Sequence, residues 1–415
     1  MDKELFDLIE KEKKRQNEGI ELIASENYAS ADVLKAAGSV LTNKYSEGYP
    51  GNRYYGGQEN IDAIENLTIK RAKKMFGLSD NWHVNVQSYS GSPANNAIYL
   101  ALLEFGDTLM GMSLSSGGHL THGAAVSFSG KAYRAVQYGV GSDGYLDYDN
   151  ISELALEYKP KLIICGYTAY PRTIDFKRFK KIAESVGAYL MADISHISGL
   201  IIGGCHPSPF SAQGGQASAD IVMTTTHKTL RGPRGAIIIC KKELAEKIDK
   251  AVFPGFQGGP HDHITAAKAI AFGEAIMPEF KKYASKIIEN AQSLSFELTR
   301  LDFKLVTGGT DNHLILVDLS NKGITGKQAQ DTLDKVGITL NKNSIPYDFR
   351  PPSDPSGVRI GTPAVTTRGF GEPEMKKIAL WIDKAIKNKN NDKELARIKK
   401  EVKELCQRFP VPGIN

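Results

Sequence analysis

From about residue 60 to residue 275 the chain alternates helix-length segments with short apolar runs: HVNVQ, TLMGM, KLIICG, AYLMAD, DIVMT and GAIIIC. Runs of this length and uniform apolarity suit strands covered on both faces. Between them, stretches such as NIDAIENLTIKRAKKMF and KRFKKIAESVG space their apolar residues at a helical period. The alternation predicts an α/β fold with a mostly parallel central sheet and helices on both faces. Residues 1 to about 20 read as a helical arm with Phe6 and Ile9 on one face, and ELIASENY then turns extended. After Pro278 the pattern changes. A long helix, EFKKYASKIIENAQSLSFELTRL, leads to a strand, HLILVDL, and on to further α+β elements. Met375, Ile378, Ile382 and Ile386 form a helical stripe, as do Leu395, Ile398, Val402 and Leu405. Both stripes read as core contacts. A boundary near residue 276 gives an N-terminal arm and large domain over 1–275 and a smaller C-terminal domain over 276–415, a division natural for 415 residues.

Charge and cysteine usage narrow the class. Lysine plus arginine is 52 against 47 acidic residues, and the charges are interspersed with no dense basic block, so nucleic acid is not suggested. A mild positive excess suits small anionic ligands. The N-terminus MDKELFDLIEKEKKRQ is too charged for a signal sequence and too acidic for a transit peptide, and no apolar run approaches a membrane span. Cys165, Cys205, Cys240 and Cys406 are widely spaced and form no C-x-x-C pair. A reduced, cytoplasmic protein is expected.

The chemistry-bearing residues gather at strand ends. In VMTTTHKTLRGPRGAIII, Lys228 sits between two runs built for an interior, where an unused lysine is costly. A solvated basic hairpin around the Gly-Pro turn, with Lys228, Arg231 and Arg234 in water, is the alternative for that stretch alone. Asp193 closes AYLMAD, at the carboxyl end of a strand, where open α/β sheets bind ligands. His196 follows three residues later. A carboxylate, an imidazole and a lysine converging on one sheet edge suggest pyridoxal phosphate: the lysine forms the Schiff base, and the carboxylate keeps the pyridine nitrogen protonated. VQSYSGSPANNAIYLALL adds a strand, a Ser-Gly-Ser turn and a helix start, a phosphate cup in which Ser90 and Ser92 add hydroxyls. An ordinary helix cap explains the turn equally well. FPGFQGGPHDH offers further bare N–H groups at Gly258 and Gly259. The pairs His119/His122 and His261/His263 lack an obvious third ligand, which zinc requires; a planar cofactor gives His119 another role, stacking on its face.

The motifs LIASENY, LTNKYSEGYPGNRYYGG, GGHLTHG, TTTHKTLRGPRG, FPGFQGGP, GGTDNHL, NKNSIP and VRIGTPAVTTRG occur in the order found in serine hydroxymethyltransferases, and over about residues 20–370 the chain resembles that family of fold-type I pyridoxal-phosphate enzymes. The resemblance implies that Lys228 carries the Schiff base, with Thr226 and His227 beside it in the catalytic set. Asp193 would meet the pyridine nitrogen, His119 the ring face, and His196 and Thr168 the rest of the cofactor. Ser90, Gly91 and Ser92 would hold its phosphate, with Tyr45, Gly258 and Gly259 contributed across a homodimer that shares its active sites, alone or as half of a tetramer. Arg359 would grip the substrate carboxylate as a bidentate fork. Ser30, Tyr55 and Glu47 would complete the serine site, Glu47 as acid and base. Tyr54, Leu114, Leu120 and Asn343 would line a tetrahydrofolate pocket.

The implied activity is reversible conversion of L-serine and tetrahydrofolate to glycine and 5,10-methylene-tetrahydrofolate, a step of one-carbon metabolism and glycine biosynthesis. Alternatives are a folate-independent β-hydroxy amino acid aldolase and a non-catalytic scaffold or RNA-binding protein on the same fold. The chain departs from the family pattern at Ser195 and Ser198, where alanines are usual. Tyr89 stands where histidine is common, Pro93 where glutamine is common, and Thr168 in place of a serine. The segment SPFSAQGGQASAD, about residues 208–220, is longer than usual.

Overall fold

A computed structural model describes residues 2–210 and 218–414, so most of the lengthened 208–220 segment lies outside the described residues. The chain divides into two compact units, one of Met1–Tyr28, Ala169–Arg172 and Ser285–Asn415, the other of Ala29–Thr168 and Thr173–Ala284.

The larger unit is organised on seven strands: β1 (Trp82–Asn85), β2 (Thr108–Met112), β3 (Arg134–Tyr138), β4 (Leu162–Gly166), β5 (Tyr189–Asp193), β6 (Ile221–Thr225) and β7 (Ala236–Lys241). Their order across the sheet is β1-β7-β6-β5-β4-β2-β3. β7 runs antiparallel to both β1 and β6, and every other pair is parallel. Six strands therefore point the same way, and their carboxyl ends share one edge of the sheet. β4 and β6 are buried along their whole length, as their continuous apolar sequences require. Leu162, Ile164, Met191, Met223 and Ile238 pack with Ala94, Ala97 and Ile98 of the helix Gly91–Leu102. All six apolar runs singled out in the sequence are strands. β3 was not among them: RAVQY alternates exposed and buried positions, the pattern of an edge strand with one wet face.

The smaller unit holds an antiparallel sheet in the order β8-β9-β11-β10, built from β8 (Lys304–Leu305), β9 (Leu314–Asp318), β10 (Asn341–Asn343) and β11 (Gly357–Gly361). The two helical stripes expected from the sequence are buried in its core. The first 28 residues belong to this unit because Ile20–Glu21 pairs in parallel with Ile338–Thr339 and buries Ile20 and Leu22. The arm helix Lys3–Glu18 leaves Phe6 and Ile9 about half exposed. Among the described residues no helix is long and apolar enough to cross a membrane, and all four cysteines are free thiols.

Arg368 fastens the arm. Its guanidinium donates to five backbone carbonyls: Gln16, Gly19 and Asn17 at the end of the arm helix, and Cys406 and Phe409 near the C-terminus. A helix end leaves its last carbonyls without intrahelical donors, and one planar fork satisfies three of them here. Lysine offers three donors from a single point, so Arg368→Lys should lower stability by about 2–3 kcal/mol through orphaned carbonyls. The urea midpoint checks this; an unchanged midpoint would mean that water satisfies those carbonyls equally well.

Candidate active site

Parallel strand direction delivers Asp193, Thr168, the Lys228 loop and the Ser90–Ser92 turn to one edge. β5 ends at Asp193, which is 7% exposed. Its Oδ2 lies 3.2 Å from His122 Nε2 and accepts from Asn95 Nδ2 at 3.1 Å, and its Oδ1 accepts from the Ser195 N–H at 3.1 Å. Burial alone opposes ionisation, but the hydrogen bond and charge of His122, helped by Ser195, hold the carboxyl well below its usual range. The site thus keeps a full negative charge in a nearly dry place.

β6 leads into the loop 226–235 that carries Lys228. Lys228 Nζ donates to Thr225 Oγ1 at 3.1 Å. The loop is braced from within: Thr226 Oγ1 donates to the Pro233 carbonyl at 2.6 Å, Gly232 N–H to Thr226 O at 2.7 Å, and Arg231 turns the chain at φ 62°. Thr229 Oγ1 donates to the His196 carbonyl and accepts from the Gly199 N–H. A Cβ at Gly199 would fall 2.3 Å from the Thr229 carbonyl oxygen, so only glycine lets the two segments approach. Thr226 is consequently a brace of the loop, its hydroxyl already taken up. His227 is half-buried, and desolvation followed by the charges of Lys228 and Arg234 pushes it down to about 3. His119 falls to about 4 through desolvation, His122 and Lys228, with Asp193 opposing. Both rings are neutral at physiological pH.

β1 leads through 86–90 to the helix Gly91–Leu102. Its N-cap residue, Ser90, makes no side-chain capping hydrogen bond. The first-turn N–H groups are therefore not closed off by the N-cap side chain, as an anion site at a helix start requires. A Cβ on Gly91 would fall 2.8 Å from Thr225 Cγ2, placing this turn directly beside the hydroxyl partner of Lys228. Thr168 follows β4, its N–H donating to Gly117 O. A lysine, a charged buried carboxylate and an open helix start within one sheet edge fit the amine-binding, pyridine-binding and phosphate-binding needs of pyridoxal phosphate. Among the described residues no three histidine, cysteine or acidic side chains gather as a metal site.

A second cluster lies on the hairpin Gly48–Tyr49/Asn52–Arg53 and the loop at Gly258–Gly259 that packs on it. Arg53 pins the hairpin through Glu65 at 2.6 Å, Asp62 at 2.9 Å and the carbonyls of Ser46 and Gly48. Tyr45 meets Tyr55 edge to face at 5.7 Å. A Cβ at Gly258 would sit 3.6 Å from Glu47 Oε1, and one at Gly259 would sit 3.5 Å from Tyr45 Cε1. Tyr89 joins the Ser90–Ser92 turn to this loop. Its hydroxyl donates to Gly259 O at 2.7 Å and its ring stacks on His261 at 4.2 Å. Tyr54 packs on Phe253. Ser30 caps the helix Ala31–Ala37 and also donates to Glu274 Oε1 at 2.5 Å. Leu114 and Leu120 are exposed after β2.

Arg359 and Asn343 belong to the smaller unit. Arg359 sits on β11, 6% exposed, with Nε donating to Asn341 Oδ1 at 2.9 Å and Nη2 within 3.4 Å of Ser25 Oγ. Desolvation drags it down to about 10, which still leaves it charged at neutral pH. Asn343 donates to the Ser344 carbonyl. The sequence reading passed over His122 as an Asp193 partner, Asn95, Thr225 and the Tyr89 bridge. Only His122 had a visible signal, its spacing of three from His119.

The sheet, the lysine on its edge and the charged aspartate define the class, a fold-type I pyridoxal-phosphate enzyme. A family model described as serine hydroxymethyltransferase matches residues 1–382. A serine hydroxymethyltransferase of Desulfotalea psychrophila is 57% identical over 414 residues, covering 100% of this chain and 95% of the relative. One of Sorangium cellulosum is 56% identical over 416 residues, covering 100% and 96%. The chain belongs to the serine hydroxymethyltransferase family, whose members are transferases that use pyridoxal phosphate and take tetrahydrofolate as co-substrate.

Both low-lying histidines have a consequence for stability. In the unfolded chain they take up protons near 6.5, and in the fold only near 4 and 3. Between those values the unfolded state binds more protons, so stability falls as pH drops from about 6.5 toward 4. His227→Gln should flatten that slope relative to the parent, read as the difference in urea midpoint between pH 7 and pH 4.5. Ring resonances of His227 titrating near 6.5 would overturn the burial argument.

Proposed function

We propose that this chain carries out the family's reaction, reversible transfer of the serine hydroxymethyl group to tetrahydrofolate, with its own residues in the roles that follow. The observation that carries the assignment is Lys228 on the edge where Asp193 is kept charged and the helix start at Ser90 is uncapped. Pyridoxal phosphate bound there supplies an electron sink for cleavage of the serine Cα–Cβ bond.

Lys228, its amine held by Thr225 Oγ1, is the residue that would carry the cofactor's aldehyde carbon. Asp193, kept charged by His122, is the carboxylate that would hold a proton on the cofactor's pyridine nitrogen. His119, neutral, presents a flat face for stacking; a cation there would oppose the proton on the pyridine. His196, His227 and Thr168 complete the pocket wall. Ser90, Gly91 and Ser92 offer N–H and hydroxyl donors to the phosphate dianion, and Pro93 withholds one N–H from that set. Arg359 orients serine by its carboxylate: a buried guanidinium makes a stronger bidentate contact than a wet one. Ser30 and Tyr55 flank the substrate. Glu47 moves a proton at the serine hydroxyl and at the one-carbon unit, and Tyr54, Leu114, Leu120 and Asn343 contact the folate. The functional unit is a homodimer in which Tyr45, Glu47, Gly258 and Gly259 serve the other subunit's Lys228, and the enzyme works in the cytoplasm.

Lys228→Gln should fold, lose the yellow colour of the lysine-linked cofactor, and lose serine turnover with tetrahydrofolate by at least about a hundredfold, the low end for a positioned catalytic group. Parent-rate turnover would place the reacting amine elsewhere. Turnover of serine that is equally fast without tetrahydrofolate would instead favour the aldolase reading.

Lys228→Gln and Glu47→Gln should each be nearly inactive alone. Refolded together at equal amounts, half the dimers are mixed and half of their sites receive both intact residues, so roughly a quarter of parental activity should return. Confirmed mixed dimers that remain inactive would put the two residues in one chain's site.

A further inference from the structure

Lys268 is a buried charge for which none of the roles above has a use. It lies on the helix Asp262–Ala275 and is 2% exposed. Its Nζ donates to three backbone carbonyls: Val86 at 2.7 Å, Ala236 at 2.9 Å and Ser88 at 3.0 Å. Val86 and Ser88 lie on the segment that runs from β1 into the Ser90–Ser92 turn. The carbonyl between them, Gln87, is taken by the Gln257 side chain at 2.7 Å. Three consecutive carbonyls on the approach to that turn are thus held by side chains. Ala236 begins β7, directly after the loop that carries Lys228, and the preceding Gly235 accepts from the Thr226 N–H. A Cβ on Gly235 would fall 2.6 Å from Lys268 Cε, so the glycine makes room for the lysine stem.

Three acceptors at hydrogen-bond distance match the three donors of an ammonium; a neutral amine has only two. Glu65, the acidic group that acts on Lys268, is itself paired with Arg53 and Gln87, so the charge is met mainly by carbonyl dipoles. Burial pushes the lysine down to about 7, a sign that holding a cation here works against folding.

We propose that Lys268 is a positioning residue for the cofactor, its ammonium holding the 86–92 turn in register with the loop that carries Lys228. This rests on the assignment of Ser90–Ser92 and Lys228 to the cofactor. One group thereby ties the phosphate-holding turn to the amine-bearing loop, the two ends between which the cofactor must fit.

The test compares Lys268→Met, which removes all donors at similar length, with Lys268→Gln, which keeps two. Folding is checked by circular dichroism, and pyridoxal phosphate is titrated into each cofactor-free protein. For Lys268→Met the dissociation constant should rise by about tenfold or more, as for loss of charge-assisted bonds, with Lys268→Gln between it and the parent. At saturating cofactor kcat should fall while the serine KM stays within about twofold, because Arg359 is untouched. A folded Lys268→Met with the parent's dissociation constant and visible absorbance overturns the proposal, as does failure of both variants to fold, which would make the lysine purely structural. Lys228→Gln run alongside separates the two levels: if it keeps the parent's absorbance, the cofactor assignment itself is wrong, whatever Lys268 does.

Discussion

Parallel strand pairing is the constraint on which the rest of the larger unit depends. Once β2, β3, β4, β5 and β6 run in register in one direction, with β1 joining them through the antiparallel β7, their carboxyl ends must open on the same edge. Residues as far apart in sequence as Ser90, Asp193 and Lys228 then become neighbours without any long-range recognition among themselves. The sheet also sets the dielectric of the edge. Strands buried on both faces leave little water at their ends, and a group placed there is neutral, paired or under strain.

Ionisable groups buried in each of the two units show how these outcomes arise. Asp193 stays ionised because His122 and two further donors face it. His119, only three residues from His122, lies against desolvating walls and the Lys228 charge, and it loses its proton. Arg359 in the other unit keeps its charge despite burial because a guanidinium begins so far above neutrality that desolvation cannot discharge it at physiological pH. Position on the fold, more than residue type, decides which of these groups carries charge.

Much of the architecture was legible because burial on both faces writes itself into sequence as uninterrupted apolar runs. KLIICG, DIVMT and GAIIIC could hardly be anything else, whereas β3 escaped because an edge strand keeps polar residues on its wet face. Single-residue features announced by chemistry were also visible: an aspartate ending an apolar run, a lysine between two such runs. The supporting contacts were not. Thr225 receives the Lys228 amine, Tyr89 bridges two loops, and Thr226 braces its own loop, yet threonine and tyrosine occur everywhere and their partners lie 3 to 170 residues away. The arm illustrates the same limit. Phe6 and Ile9 share a helical face as their spacing requires, but period alone says nothing of what covers that face.

Glycine placement carries the remaining information, and it does so through close approach. Gly91 lies against Thr225, Gly199 against the Thr229 backbone, and Gly235 against the Lys268 stem, each at a separation that a methyl group would violate. Gly91 and Gly199 sit where one carboxyl-edge segment crosses another, and Gly235 makes room for a side chain of the helix Asp262–Ala275. A sheet can bring strand ends to one edge, but the connecting turns must still pass within backbone contact of each other for a lysine and a phosphate cup to face a single small molecule. Omitting side chains at those crossings lets the turns close. The bare N–H groups exposed at Gly91 by the same omission are what an anion at the helix start would require, so compact crossing and a helix start suited to an anion follow here from one property of the backbone.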